Sequence, residues 1–169
     1  LDAGSFYSES YKGERIPLLV EVLETFSSKM IINIELTNYK SPMDGLAEKA
    51  ARLVKKIGLG EKIIFSSFNP VNLLITRKIV PEVPVALLAI PGGKGWLARS
   101  ELMRWISREY IHPFFLDAGK DYIEKQHAKG RKVNVWTVND EMEIRRLIEN
   151  EVDGIITDDP ILTRKMVAQ

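Results

Sequence analysis

Residues 30–36 (MIINIEL) decide the fold class, because their polar and apolar side chains alternate as they do in a β-strand. Asn33, Glu35 and Thr37 share one face, and the isoleucine and leucine residues between them share the other. Residues 44–57 then place apolar side chains at helical spacing. A short strand followed by an amphipathic helix is one βα unit.

The same unit recurs along the chain. Further strands are predicted at residues 63–67, 83–90, 110–114, 132–138 and 154–157. Further helices are predicted over residues 96–109 and 141–151, the second with Asp140 as its N-cap. Two more helices are predicted to begin at Pro70 and Pro160, and another is predicted to end at Gly130. An extra helix at residues 16–23 has no strand before it. About six βα units imply a parallel sheet covered by helices.

Two architectures fit that count, a doubly wound open sheet and part of a (β/α)₈ barrel. A complete barrel needs ~250 residues, so 169 residues fall short by about two βα units. No linker or low-complexity segment divides the sequence, and we expect residues 1–169 to form a single domain.

Composition excludes several classes of function. The 24 Lys and Arg residues balance 23 Asp and Glu residues, which gives no electrostatic case for a nucleic-acid partner. Cysteine is absent, so disulfides and thiolate chemistry are excluded, and the only histidines are His112 and His127. No apolar run reaches the ~20 residues of a membrane span, and we expect a cytoplasmic protein.

Glu35 is the first candidate site residue. In a barrel it would face the axis near the carboxyl end of its strand, where barrel active sites are built. A buried carboxylate there must be paired, protonated or bound to a metal. The competing interpretation is a Glu hydrogen-bonded to a neighbouring strand or to a Lys.

The other candidates are weaker. Trp136 could form the wall of a pocket or could be a large core residue. We expect His112 to be a core or rim residue, His127 to face solvent, and residues 92–95 (GGKG) to form a turn. Asp159 is favoured as a helix cap over a site residue.

Taken in order, several segments resemble the C-terminal two thirds of glycerophosphodiester phosphodiesterases. They are residues 1–5 (LDAGS), 13–17 (GERIP), 32–36 (INIEL), 66–69 (SSFN), 135–139 (VWTVN) and 153–160 (DGIITDDP). The resemblance implies an α/β fold, a TIM-type (β/α)₈ barrel that is incomplete here. It also implies cleavage of a small-molecule glycerophosphodiester to sn-glycerol 3-phosphate and an alcohol, with Mg²⁺ or Ca²⁺ bound.

The resemblance assigns roles to three residues. Glu35 matches a metal-binding Glu of the family, and oxygen ligands are those that a hard divalent cation prefers. Trp136 matches the aromatic residue beside the substrate glycerol. Thr37 stands where the family commonly has Lys; its hydroxyl can bind a phosphate oxygen without supplying charge. Lys40 could reach the same space.

The sequence also departs from the family pattern. Three features of the family have no counterparts here: the His-Arg-Gly segment, the Glu-x-Asp metal pair and the catalytic histidines. No catalytic residue is therefore predicted in this chain. We therefore expect a fragment that starts after the second barrel strand and is inactive alone, with exposed sheet edges that favour self-association. The alternatives are a non-catalytic barrel remnant used in binding or assembly, which Thr37 favours, and a related phosphodiesterase acting on lysophospholipids.

Overall fold

Six parallel strands form one sheet in the computed structural model, which describes residues 2–38, 41 and 43–168. The strands are β1 (Ile32–Glu35), β2 (Ile63–Ser67), β3 (Val85–Ala89), β4 (Tyr110–Pro113), β5 (Lys132–Val135) and β6 (Gly154–Ile155). Their order across the sheet is their order along the chain. A doubly wound sheet reverses its strand order at a switch point, so this order selects the other architecture. The fold is α/β, and the sheet curls into an incomplete barrel, as predicted.

Helices connect the strands and cover the outer face of the sheet. They are α1 (Leu19–Phe26), α2 (Leu46–Ile57), α3 (Pro70–Ile79), α4 (Trp96–Arg99), α5 (Lys120–His127), α6 (Glu141–Glu149) and α7 (Pro160–Val167). Within the described part of the chain, no helix combines the length and the apolar character needed to cross a lipid bilayer.

Local sequence signals set several helix ends where they were predicted, although the helix predicted at residues 16–23 lies at Leu19–Phe26. Gly58 ends α2 in the left-handed conformation, at φ 77°, which glycine adopts without steric cost. The Asp140 carboxylate accepts two N–H groups of the first turn of α6, both at 3.0 Å. Asp159 caps α7 by accepting the Leu162 N–H at 3.0 Å. The predicted caps are confirmed.

The predicted helix over residues 96–109 is wrong. The helix α4 stops at Arg99, because Ser100 adopts an extended conformation with ψ 161°. The Ser100 hydroxyl donates to the Leu97 carbonyl at 2.6 Å, and such side-chain bonds compete with the helical ladder. A 3₁₀ turn, Glu101–Met103, follows. The connection between β3 and β4 is therefore an irregular segment, with one α-helical turn between two 3₁₀ turns.

The core lies between the outer face of the sheet and the helices. The strand residues in it are Ile34, Ile63, Phe65, Val85, Leu87, Ile111, Val133 and Val135. Full burial of each large apolar side chain contributes roughly 1.5–3 kcal/mol. This packing holds the strands in place, and side chains of opposite parity then project from the inner face.

Candidate functional site

The carboxyl end of β1 carries the first candidate residues. Asn33, Glu35 and Thr37 are exposed, whereas Ile34 and Leu36 between them are buried, which confirms the predicted alternation. Glu35 was expected to be buried if it faced a barrel axis, and in this structure it is exposed. The reason is that the sheet is an incomplete barrel with β1 at its edge, so its inner face is open to solvent at this end.

A buried hydroxyl lies beside Glu35. Ser66 of β2 is the register partner of Glu35, and its side chain is fully buried. Among the described residues the Ser66 Oγ atom has no hydrogen-bond partner. A buried polar group without a partner costs about 1–3 kcal/mol. The carboxylate of Glu35 and this hydroxyl therefore mark a polar position at the ends of β1 and β2.

A buried amide network, which no local pattern in the sequence indicates, holds the segment that carries Thr37. The Asn72 side chain donates to Asn38 Oδ1 at 2.6 Å and to Ser67 Oγ at 3.1 Å. The Ser67 hydroxyl donates in turn to the Leu36 carbonyl at 2.8 Å. Leu36 and Asn38 flank Thr37, so the network fixes the backbone on both sides of it. Lys40, the other residue expected near this space, lies outside the described residues.

Trp136 belongs to a group of three aromatic rings at the same end of the sheet. Its ring centroid lies 5.4 Å from that of Phe68 and 5.6 Å from that of Phe114, both in edge-to-face arrangements. Aromatic pairs favour this geometry. The indole Nε1–H donates to the His112 carbonyl at 2.8 Å, which fixes the ring orientation. Trp136 is half-buried, and with Phe68 and Phe114 it makes up an aromatic wall; its place beside a substrate stays a prediction.

Phe68 connects the two groups of candidate residues. Trp136 follows β5, whereas Glu35 ends β1, and three strands lie between them. Phe68 follows β2, the immediate neighbour of β1, and its ring touches that of Trp136. The aromatic wall therefore extends across the sheet towards the strand pair that carries Glu35.

His112 is a buried neutral residue. Its side chain is 1% exposed, and the Asn134 amide lies 3.1 Å from His112 Nε2. Burial, together with the nearby Arg131 cation, lowers the pKa of His112 to about 4. The expectation of a core histidine is confirmed.

His127 lies elsewhere in the molecule, on α5. Its Nε2 atom is 2.7 Å from the Asp153 carboxylate, and the side chain is 34% exposed. The prediction that it faces solvent is therefore only partly correct. Residues 92–95 form a 3₁₀ turn, which confirms the expected turn.

The side chains at the carboxyl ends of the strands can be compared with the ligands that a divalent metal ion needs. Within the described ranges no set of three or more His, Asp or Glu side chains is placed to hold a metal ion. Glu35 offers the oxygen that a hard cation binds, and the unsatisfied hydroxyl of Ser66 lies next to it. Glu35 therefore fits as one ligand, and a complete ligand set would need further residues.

The parallel strands form part of a (β/α)₈ barrel, and polar and aromatic groups lie at the carboxyl ends of these strands. Enzymes with this fold build their active sites at that end of the barrel. A model of the glycerophosphoryl diester phosphodiesterase family matches residues 1–162. The chain belongs to this family, whose named members are phosphodiesterases, hydrolases of phosphoric diesters.

Curated relatives are longer than this chain. It is 35% identical over 162 residues to a glycerophosphodiester phosphodiesterase of Caldanaerobacter subterraneus subsp. tengcongensis, a match over 95% of this chain and 65% of the relative. It is 32% identical over 161 residues to one of Bacillus altitudinis, over 92% of this chain and 64% of the relative. The chain thus spans less than two thirds of the length of these relatives.

Solved structures share the fold. An Oleispira antarctica phosphodiesterase in complex with its product sn-glycerol-3-phosphate superposes with a TM-score of 0.80 at 24% identity, covering 99% of this chain and 68% of the other. A glycerophosphodiester phosphodiesterase of Thermotoga maritima gives 0.70 at 25% identity, covering 90% and 64%. The predicted resemblance and the predicted fold are both confirmed.

Proposed function

We propose that these 169 residues are part of a longer, metal-dependent phosphodiesterase that hydrolyses glycerophosphodiesters to sn-glycerol 3-phosphate and an alcohol. Family membership supports the reaction class. The observation that carries the proposal is the position of Glu35 and of the Trp136 aromatic wall at the carboxyl ends of parallel strands, where barrel enzymes build their sites.

Glu35 provides one metal ligand in this proposal. A bound Mg²⁺ or Ca²⁺ supplies charge that neutralises the phosphate oxygens. Glu35 suits the role because its carboxylate is exposed at the end of β1. Ser66, whose hydroxyl is unsatisfied within the described residues, can hydrogen-bond a ligand of the ion or an oxygen of the substrate.

Trp136 and Thr37 contact the substrate. The indole is held by its hydrogen bond to the His112 carbonyl, so its face can pack on the carbon skeleton of glycerol without first losing side-chain entropy. Thr37 lies two residues after Glu35, beyond the end of β1, and is exposed. Its hydroxyl can donate to a phosphate oxygen, although it lacks the charge of a lysine.

The isolated chain is inactive in this proposal, because neither histidine can act as a general acid or base at Glu35. His112 is buried with a pKa of about 4, and His127 is bound to Asp153. Glycerophosphocholine incubated with the 169-residue chain and Mg²⁺ or Ca²⁺ should release no sn-glycerol 3-phosphate above the protein-free blank. Turnover at a rate typical of enzymes would contradict the proposal.

The role of Glu35 is tested in the longer protein that contains these residues. Glu35→Gln keeps the shape of the side chain and removes its charge, so turnover should fall by about 100-fold or more, since metal charge stabilisation is worth several kcal/mol. Raising the metal concentration should recover part of the loss.

Glu61→Gln is the matched control, because Glu61 is an exposed Glu just before the amino end of β2. It should retain the parental rate and metal dependence. Equal rates for the two variants would remove Glu35 from the site.

The open edges of the sheet support a second proposal, self-association. Within the described residues β1 and β6 each pair with one strand only. Unpaired edges favour pairing with another chain. A non-catalytic remnant used in assembly would keep this property, and such a remnant would show association without any phosphodiesterase activity in the longer protein.

A further inference from the structure

A cavity of about 460 Å³ opens beside the amino end of β4. Small-molecule pockets in proteins have volumes of this size. Its described lining comes from the irregular segment that leads into β4, and consists of Glu101, Arg104, Trp105 and Arg108. Glu35 and the Trp136 aromatic wall lie at the carboxyl ends of the strands, so this cavity opens at the opposite end of the sheet.

Positive charge predominates in the wall of this cavity. Arg104 and Arg108 both line it, and Arg108 forms no ion pair with any residue that the structure describes. Glu101 also lines it, but its carboxylate is already paired with the Lys129 ammonium group. The two arginines therefore give the wall a net positive charge.

A buried cation behind the wall adds to this charge. Arg131 is 1% exposed, and its guanidinium group donates to the Tyr110 carbonyl and to the Ser107 hydroxyl, both at 3.2 Å. These acceptors are neutral, and no carboxylate of the described ranges forms an ion pair with Arg131. Arg104 donates to the carbonyl of Lys129 at 3.1 Å, only two residues before Arg131. A buried cation without a counter-ion favours an anion in the neighbouring cavity.

Trp105 is fixed through its backbone, whereas its side chain is open to solvent. Arg77 of α3 donates to the carbonyl of Trp105 at 3.2 Å and to that of Ile106 at 2.8 Å. Ile106 is 3% exposed and anchors the segment in the core, but Trp105 is 56% exposed and lines the cavity. A flat apolar group can pack on this indole, and the backbone needs no further ordering when it does so.

We propose that this cavity binds a phosphate monoester that carries an aromatic group, with the phosphate at Arg104 and Arg108 and the ring on Trp105. Guanidinium groups bind phosphate oxygens through charge-assisted hydrogen bonds, which are stronger than neutral ones. The ligand class includes nucleotides. The inference does not depend on the proposed hydrolysis, because its residues lie at the amino end of the sheet, and it is testable on this chain alone.

The experiment titrates the 169-residue chain with phenyl phosphate and with inorganic phosphate by calorimetry. The ionic strength is kept constant, because salt screens exposed charges. Both probes should bind, and phenyl phosphate should bind about two- to tenfold more tightly, since its ring can pack on Trp105. Absence of phenyl phosphate binding at millimolar concentrations, or equal affinities for the two probes, would overturn the inference.

Two variants locate the binding. Arg108→Gln removes an exposed cation and should weaken both probes by about tenfold or more, because it removes a charge-assisted hydrogen bond. Trp105→Leu removes the ring and should weaken phenyl phosphate alone. Arg145→Gln is the matched control, since Arg145 is an exposed arginine of α6 that lies beside Glu141 and Glu149. It removes the same charge elsewhere and should leave both dissociation constants unchanged.

The pattern across the variants decides the inference. Equal weakening by Arg108→Gln and Arg145→Gln means that the probes respond only to net charge, and it overturns the inference. Binding of phenyl phosphate that Trp105→Leu leaves intact overturns it as well. A loss shared by both probes in Arg108→Gln and restricted to phenyl phosphate in Trp105→Leu supports it, whether or not the longer protein hydrolyses glycerophosphocholine.

Discussion

Replacing Asn72 with Ala should destabilise the chain and loosen the segment that carries Thr37. Asn72 is completely buried, and its amide donates to Asn38 Oδ1 at 2.6 Å and to Ser67 Oγ at 3.1 Å. Each such hydrogen bond is worth ~1 kcal/mol net, and a buried oxygen that loses its donor costs a further ~1–3 kcal/mol. Asn38 is only 8% exposed, so in Asn72→Ala its Oδ1 atom would be buried without a hydrogen-bond donor.

The expected loss for Asn72→Ala is therefore about 3–5 kcal/mol in the free energy of unfolding. Urea unfolding followed by circular dichroism measures it, as a lower midpoint with an unchanged slope. Asn69→Ala is the matched control, because Asn69 caps the same helix by accepting the Val71 N–H at 3.0 Å. Loss of such a cap typically costs ~1 kcal/mol.

The two variants together test the role of the buried amide. If Asn72→Ala costs no more than Asn69→Ala, the buried amide does not hold the segment after β1. Amide hydrogen exchange at Leu36 and Asn38 gives an independent measure. It should accelerate in Asn72→Ala and remain at the parental rate in Asn69→Ala.

Two further predictions concern pH and association. The pKa of His112 is about 4 in the folded chain, against an ordinary value of 6.5. Because the unfolded chain binds more protons between these two values, the free energy of unfolding should fall by up to about 3 kcal/mol as the pH drops from 6.5 to 4. His112→Gln should lose this pH-dependent part in urea titrations across that range, and parallel curves for the two proteins would refute the prediction. Sedimentation velocity should show reversible oligomers of the 169-residue chain that dissociate on dilution, and a monomer at every concentration tested would remove the proposed edge pairing.

Local patterns predicted much of the secondary structure. The alternation in residues 30–36, the Asp140 and Asp159 caps and the glycine at position 58 act over a few residues, so their physical effects are visible in the sequence. The segment 96–109 shows the limit of such patterns. Its apolar spacing predicts a helix, but the hydrogen bond from the Ser100 hydroxyl to Leu97 and the extended backbone at Ser100 interrupt it.

The sequence nominates the candidate site residues one by one, and their roles stay predictions; it does not indicate how they are assembled. Glu35, Thr37 and Trp136 stand out through strand parity and through the family resemblance. The contact of Trp136 with Phe68 joins residues 68 positions apart in the sequence, and the Asn72–Asn38 hydrogen bond spans 34. Neither has a local signal, because both depend on how strands pair and helices pack.

The sequence by itself determined the βα alternation, the family and the residue types available for chemistry, because these depend on side-chain periodicity and on motif order. Tertiary structure alone decided between a doubly wound sheet and a barrel, because strand order is a property of long-range pairing. It also decided that Glu35 is exposed, that His112 is buried and neutral, and that a cavity lined by two arginines lies beside the amino end of β4. Each of these properties depends on which distant groups exclude water from a given side chain.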